Sequence, residues 1–133
     1  MLQVKTKIKK SRIHGTGLFA DQFIPKGATT WEYDRDIDPE FTLKTVKSLP
    51  QKSRDFLLYY TYLDKKLNKL VLCSDNQKYI NHTRNKKLEN ISATTRKDVA
   101  ARDIKSGEEM LCDYNKFDDS YFKRMKIDPK KLK

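Results

Sequence analysis

Glycine, proline and cysteine are all scarce in this chain, at four, four and two residues among 133. No Pro/Ser/Gly-rich stretch separates two parts, so the length reads as one domain, large enough for a real core. Cys73 and Cys112 make no disulfide framework. Together with His14 and His82 they are four side chains able to ligate a metal, but neither C-x-x-C nor H-x₃₋₅-H spacing occurs, which argues against zinc. No apolar run approaches the ~20 residues needed to span a bilayer. The start, Met1-Leu2-Gln3-Val4-Lys5, lacks the apolar stretch of a secretory signal. These absences set the expectation of an intracellular protein, cytoplasmic or nuclear depending on its host, with no metal and no membrane partner.

Acidic residues are the minority sign: 29 Lys and Arg face 18 Asp and Glu, for a net charge of +11. The excess is concentrated at the ends. Residues 1–20 hold no acid, and beyond Tyr121 six basic residues face Asp128 alone. Such a balance favours polyanion partners, or a lysine-rich solvated surface. Between the ends, Glu32, Asp34, Asp36, Asp38 and Glu40 are broken only by Arg35, a cluster that could receive a basic peptide.

Short strands and Gly turns dominate what is there. Val4–Ile8 alternates with period two and predicts a strand, Leu18-Phe19-Ala20 another, and Thr29–Tyr33 is rich in β-formers. Ala20 to Ile24 and Ala100 to Ile104 have the same spacing, and each is followed three residues on by Gly, so one strand-turn-strand solution is used twice. The middle differs. Thr42–Lys47 fits a short capped helix, and Pro50 opens a second in which Phe56, Leu57, Tyr60 and Leu63 recur at helical spacing. Leu70–Cys73 reads as a buried strand, Arg84–Glu89 as exposed, and Asp118–Phe122 as the start of a terminal helix with an acidic first turn.

The candidate chemistry lies in three segments. Gly15-Thr16-Gly17 lets backbone approach a ligand with no Cβ in the way, although no βαβ unit follows to make it a dinucleotide fingerprint. Tyr79-Ile80-Asn81-His82-Thr83 places an Asn-His pair on a loop. Gly107-Glu108-Glu109-Met110-Leu111-Cys112-Asp113-Tyr114 is a turn and short strand ending in an acidic-aromatic step.

In order and register, these segments, with Ile24-Pro25-Lys26-Gly27, resemble the signature motifs of SET-domain lysine methyltransferases over roughly residues 3–117. The resemblance implies a mostly β fold of small curved sheets with a short helical insert and a knot-like crossing of the C-terminal segment. It implies a SET domain over 1–117, followed by a basic, helical tail over 118–133 packed near the active site. The implied cofactor is S-adenosylmethionine, held by Gly15, Thr16, Gly17, Asn81, His82 and Tyr114, with the Asn81 side chain on the methionine amino end. Tyr114 is the implied catalytic residue, orienting the amine of a protein lysine. Cys112, Tyr79 and Phe117 are expected to line the substrate channel. The implied partner is a protein with an accessible lysine, and a homodimer is left open.

Three departures stand out. After Asn81-His82 the chain reads Thr83-Arg84-Asn85-Lys86-Lys87, without the Pro and second Asn of many members, for which Asn90 is a candidate substitute. The zinc-binding cysteine cluster that follows many such domains is missing. Cys112 stands where many members carry Phe or Tyr, which implies room for more than one methyl. Two other classes fit the same residues: a catalytically inactive SET-fold peptide-binding module, and a small basic nucleic-acid-binding protein.

Overall fold

The computed structural model describes residues 1–126. Among the described residues, ten short strands and three α-helices make a mostly β architecture of small sheets with a helical insert and no closed barrel. Thr6–Lys10 (β1) and Thr16–Ala20 (β2) form an antiparallel hairpin, with Ile8 opposite Leu18. The first strand begins two residues later than its alternation predicts. It pairs with β2 alone, so Ile8 remains 44% exposed while Leu18 is buried.

The duplicated spacing has a structural counterpart. Ile24 and Ile104 exchange both backbone hydrogen bonds, at 2.9 and 2.8 Å, as the two arches cross. Gly27 N–H donates to the Ala100 carbonyl (2.8 Å) and, reciprocally, Gly107 N–H donates to the Ala20 carbonyl (2.7 Å). Both glycines have positive φ, +87° and +96°, where a Cβ would be strained. The buried Ala20, Ile24, Ala100 and Ile104 therefore pack in one cluster with Leu18, Ile91 and Met110. Truncating an Ile here to Ala costs about 2–5 kcal/mol. One arch runs on to Thr29–Glu32 (β3), the other to Leu111–Cys112 (β10). The repeated unit thus anchors the strand that carries Cys112 to Tyr114.

A second sheet orders β3, Lys97–Ala100 (β9) and Ile91–Ala93 (β8). Its β3–β9 pairing contains a bulge between Thr29 and Trp31, which sets Trp31 opposite Asp98. A third orders Glu40–Phe41 (β4), Lys69–Leu72 (β6) and Thr61–Asp64 (β5). Asn81–His82 (β7) and β10 pair in parallel, with Asn81 beside Leu111 and His82 beside Cys112. The C-terminal segment therefore runs alongside the Asn-His segment, the juxtaposition implied by the resemblance.

The insert begins with Leu43–Ser48 (α1), whose first turn is capped by the Thr42 hydroxyl accepting from Thr45 N–H at 3.1 Å. Gln51–Tyr60 (α2) follows Pro50. Leu63, expected on this helix, lies on β5 instead, because the chain turns extended at Thr61, whose hydroxyl donates to the Leu57 carbonyl. Phe56 is half exposed, and Val46, Leu57 and Leu70 form the core here.

Tyr121–Met125 (α3) closes the described chain. Asp118 and Asp119 precede this helix rather than forming its first turn, and Asp118 is buried. Its carboxylate accepts from Leu63 N–H at 2.9 Å and pairs with Arg124 at 3.0 Å, while Tyr121 O–H donates to the Tyr59 carbonyl at 2.8 Å. These bonds fasten the segment to α2 and β5. The rest of the expected 118–133 tail, from 127 onward, lies outside the described residues.

The acidic 32–40 segment is not the open receptor that its charge suggests. Asp38 is fully buried and accepts from Asp34 N–H (2.9 Å) and Ser74 N–H (3.0 Å). Asp34 accepts from Asp36 N–H, and Glu40 accepts from the Tyr33 hydroxyl, whose pKa is pushed up to about 12 by burial and by that bond. Acids spent on capping a turn offer less charge to a peptide, which leaves Glu32 and Asp36 as the exposed carboxylates. Among the described residues, no helix is long and apolar enough to cross a membrane.

Candidate active site

Two cavities meet around Tyr114. The larger, about 320 Å³, is bordered by Ile13 to Thr16 of the β1–β2 turn, by Tyr79 to His82, and by Phe122. The smaller, about 60 Å³, lies among Trp31, Tyr62, Cys73, Gln77, Asp98 and Cys112, with Phe117 at its edge. Tyr59, Tyr60, Lys78, Ile80, Tyr114 and Tyr121 border both, so one wall separates them. Of the residues nominated from sequence, Gly15, Thr16, Asn81, His82 and Tyr114 line the larger cavity, and Cys112 and Phe117 the smaller. Tyr79, expected in the substrate channel, lines the larger one instead, its ring edge-on to Tyr60 at 5.8 Å.

Gly17 reaches neither cavity. A Cβ there would lie 2.2 Å from Glu109 Oε1, so this glycine makes room for a carboxylate of the protein rather than for a ligand. Glu109 is the residue that sequence reasoning missed. Its Oε2 accepts from the Ser11 hydroxyl (2.9 Å) and its Oε1 from Asn81 Nδ2 (3.1 Å). The signal was available in the pairing of a second acid in Gly107-Glu108-Glu109 with a second glycine in Gly15-Thr16-Gly17, but only contact links them.

Asn81 Nδ2 also faces the carbonyls of His14 (2.8 Å) and Thr16 (3.2 Å). Three acceptors around one end of the side chain identify that end as the NH₂. The donor half of Asn81 is therefore spent on tying the first turn to β7. Its oxygen meets no protein donor among the described residues. An incoming amine or ammonium suits that acceptor.

The His82 imidazole has a structural task. Nδ1 accepts from Tyr114 N–H at 3.0 Å, which puts the ring proton on Nε2. Burial lowers its pKa, outweighing Asp113 at 3.7 Å, so the ring is neutral. Nε2 is buried without a partner among the described residues, and the imidazole and Phe122 ring centroids lie 4.7 Å apart. Tyr114 O–H donates to the Ile80 carbonyl, and its ring packs edge-on to Tyr121 at 5.1 Å. Burial pushes the phenol far up, so Tyr114 stays protonated.

The rewritten 84–90 stretch borders neither cavity. Asn90 is fully buried, donating to the Glu109 carbonyl and accepting from Leu111 N–H, both at 2.8 Å. It braces the strand and lines neither cavity. Cys112 is buried on β10, and burial pushes its thiol well up, so it is inert bulk at the cavity wall. Among the described residues, no group of three or more His, Cys, Asp or Glu is placed to hold a metal ion.

A SET domain family model matches residues 15–115. No curated protein matches the sequence at a significant level. Among solved structures, the Chaetomium thermophilum polycomb repressive complex 2 is similar over 84% of this chain at 24% identity, with a TM-score of 0.64. The same complex bound to GSK126 covers 97% at 20% identity and a TM-score of 0.68. A form described as autoinhibited and bound to S-adenosylmethionine covers 97% at 22% identity and a TM-score of 0.67. At such identities the likeness is one of fold, and this chain spans only 15%, 18% and 17% of those chains.

Proposed function

The chain belongs to the SET-domain family, and from that premise we propose that it is an S-adenosylmethionine-dependent protein-lysine N-methyltransferase. The observation that carries the reading is the shared wall: two cavities meet at Tyr114, one large enough for a cofactor and one narrow enough for a side-chain amine. Ligand sites of this kind are typically mostly apolar clefts of about 300–1,000 Å³ with a few fixed polar groups, and the larger cavity fits. The acceptor oxygen of Asn81 suits the amino group of the methionine part, while Tyr79 and Phe122 give flat apolar surface for a purine. When bound, the cofactor supplies a methyl on a positively charged sulfur.

The protein's own residues do the rest. The Asn81–Glu109–Ser11 network holds the first turn against β7 and keeps the larger cavity open. His82 fixes the backbone of Tyr114, and the Ile80 carbonyl fixes its hydroxyl. That leaves the phenol oxygen as an acceptor for an amine N–H at the junction. Orientation of this kind contributes steeply to rate, since a misplacement of about 1 Å costs on the order of 10²-fold. The aromatic lining of the smaller cavity excludes water and favours the neutral amine.

The test is transfer of labelled methyl from S-adenosylmethionine to lysine in proteins of the host lysate, with Tyr114→Phe as the control. Labelling should fall on the order of 10²-fold in the variant, with cofactor affinity by calorimetry little changed. Cofactor binding without any Tyr114-dependent labelling would point to the inactive peptide-binding reading.

A further inference from the structure

The smaller cavity holds a carboxylate that the lysine reading leaves without a role. Asp98 is 2% exposed and lies at an inward-facing position of β9, where an apolar side chain would be expected. The β3–β9 bulge sets it opposite Trp31, and both line the cavity. Bulges commonly re-aim a side chain beside an active site. One oxygen of Asp98 accepts from Gln77 Nε2 at 2.6 Å. Gln77 is itself 5% exposed, and its Oε1 is buried with no partner among the described residues. Two acceptors, a carboxylate and an amide oxygen, thus sit without a paired cation in a cavity walled by Trp31, Tyr62, Tyr114 and Phe117, where Trp31 Nε1–H is also buried without a partner among the described residues. Burying such groups is costly unless a donor arrives. An alkylammonium, with three donors, no acceptor and an affinity for aromatic faces, is the complementary ligand. At about 60 Å³ the space is several times the ~10–15 Å³ that one water needs on this scale.

We infer that Asp98 is a further catalytic residue, which receives the substrate lysine's ammonium in this cavity and takes its proton before methyl transfer. The inference rests on the lysine reading of the cavity. The step is balanced as R–NH₃⁺ with Asp98–COO⁻ giving R–NH₂ with Asp98–COOH: an N–H bond breaks, an O–H bond forms, and the nitrogen lone pair is freed at the Tyr114 wall. The proton later leaves to solvent. Burial supports the assignment, because it lifts the Asp98 carboxyl from 3.8 to about 7 against the opposing bonds from Gln77 and the Thr94 backbone. A carboxylate so raised is a far better acceptor for an amine proton than an ordinary one, and desolvation lowers the ammonium toward it. The neighbouring thiols of Cys73 and Cys112 and hydroxyls of Tyr62 and Tyr114 are all pushed up by burial and stay neutral across this range. Asp38 and Asp75 are the other acids near Cys73, Asp118 is paired with Arg124, and Lys78 Nζ is turned to the Asp75 carbonyl.

The experiment is carbon-13 NMR of the full chain labelled at aspartate carboxyls, titrated with pH with and without n-butylammonium chloride as the lysine mimic. Calorimetry with S-adenosylmethionine is run on the same sample. One carboxyl should titrate near 7, vanish in Asp98→Asn, and move down by a unit or more when the amine saturates, which reads the ammonium contact that precedes proton transfer. Amine affinity in Asp98→Asn should drop at least tenfold and lose its pH dependence. If the amine binds, seen by shifts at Tyr114, but the Asp98 midpoint does not move, this inference fails while the methyltransferase reading stands. If cofactor binds but the amine does not enter, both fail, and absence of cofactor binding removes the premise. The wild-type titration is decisive even where Asp98→Asn does not fold.

Discussion

The larger cavity takes its edge from backbone, the β1–β2 turn and the Asn81-His82 segment, with the Asn81 amide donor tied to the His14 and Thr16 carbonyls. The smaller takes its lining from side chains of β3, β5, β9 and β10 and of the segments after β6, and leaves buried polar atoms unmatched. A site that uses backbone and short motifs is written in contiguous sequence. A site assembled from side chains of separate strands is not. The difference also separates the chemistry: the first region presents backbone and short motifs, while the second concentrates desolvated groups, where protonation is most sensitive to what enters.

The contrast is broken most severely by releasing α3, whose Tyr121 borders both cavities. Arg124→Met leaves the buried Asp118 carboxylate unpaired and releases α3 from β5, and loss of one partner of such a pair costs about 3–5 kcal/mol. Chemical denaturation should show that loss, together with failure of the shared wall to support either ligand. Next comes the pH response of the smaller cavity. The folded-state pKa of Asp98 is raised, from 3.8 to about 7, so its protonated form favours folding. That contribution is complete below about pH 4 and is lost as pH rises to about 7. The shift corresponds to roughly 4 kcal/mol, and melting curves of Asp98→Asn should be flatter over this window and higher than wild type above it.

A smaller effect should be confined to the larger cavity. Asn81→Ala leaves the His14 and Thr16 carbonyls and the Glu109 carboxylate short of a donor, which costs about 1–3 kcal/mol. S-adenosylmethionine affinity should fall at least tenfold, with n-butylammonium binding retained; equal losses would deny that the regions are separable. The mildest change sharpens the smaller cavity alone. Cys112→Phe adds bulk at the buried wall and should reduce the number of methyls transferred, read by mass spectrometry of products, with cofactor affinity unchanged. Identical product distributions would remove Cys112 from any role in methyl number.

Much of the architecture was legible because turns and caps are local. Gly27 and Gly107 announce positive-φ turns, Thr42 announces a helix start, and the equal spacing of Ala20–Ile24–Gly27 and Ala100–Ile104–Gly107 announces two like arches. Their crossing, with Ile24 and Ile104 as partners, needs contact across the whole chain. Periodicity misplaced Leu63 because helical and strand spacing coincide over so short a run, and Thr61 decided the matter through its extended backbone. Charge misread the acidic segment, because a carboxylate that caps a turn and one that faces solvent look alike in sequence.

Sequence by itself determined the family, since Gly15–Ala20, Tyr79–Thr83 and Gly107–Tyr114 stand in its order and a SET domain matches across them. It also determined the residue types at the edge of the larger cavity, where neighbours in the chain act together. Tertiary structure alone decided what each side chain faces. It turned Gly17 from a ligand contact into space for Glu109, spent the Asn81 donor on the protein, moved Tyr79 to the larger cavity, and brought Asp98 beside Gln77 and Trp31. The physical reason is common to all four. Hydrogen-bond partnership and desolvation depend on which strands meet, and strand pairing here joins residues far apart in sequence.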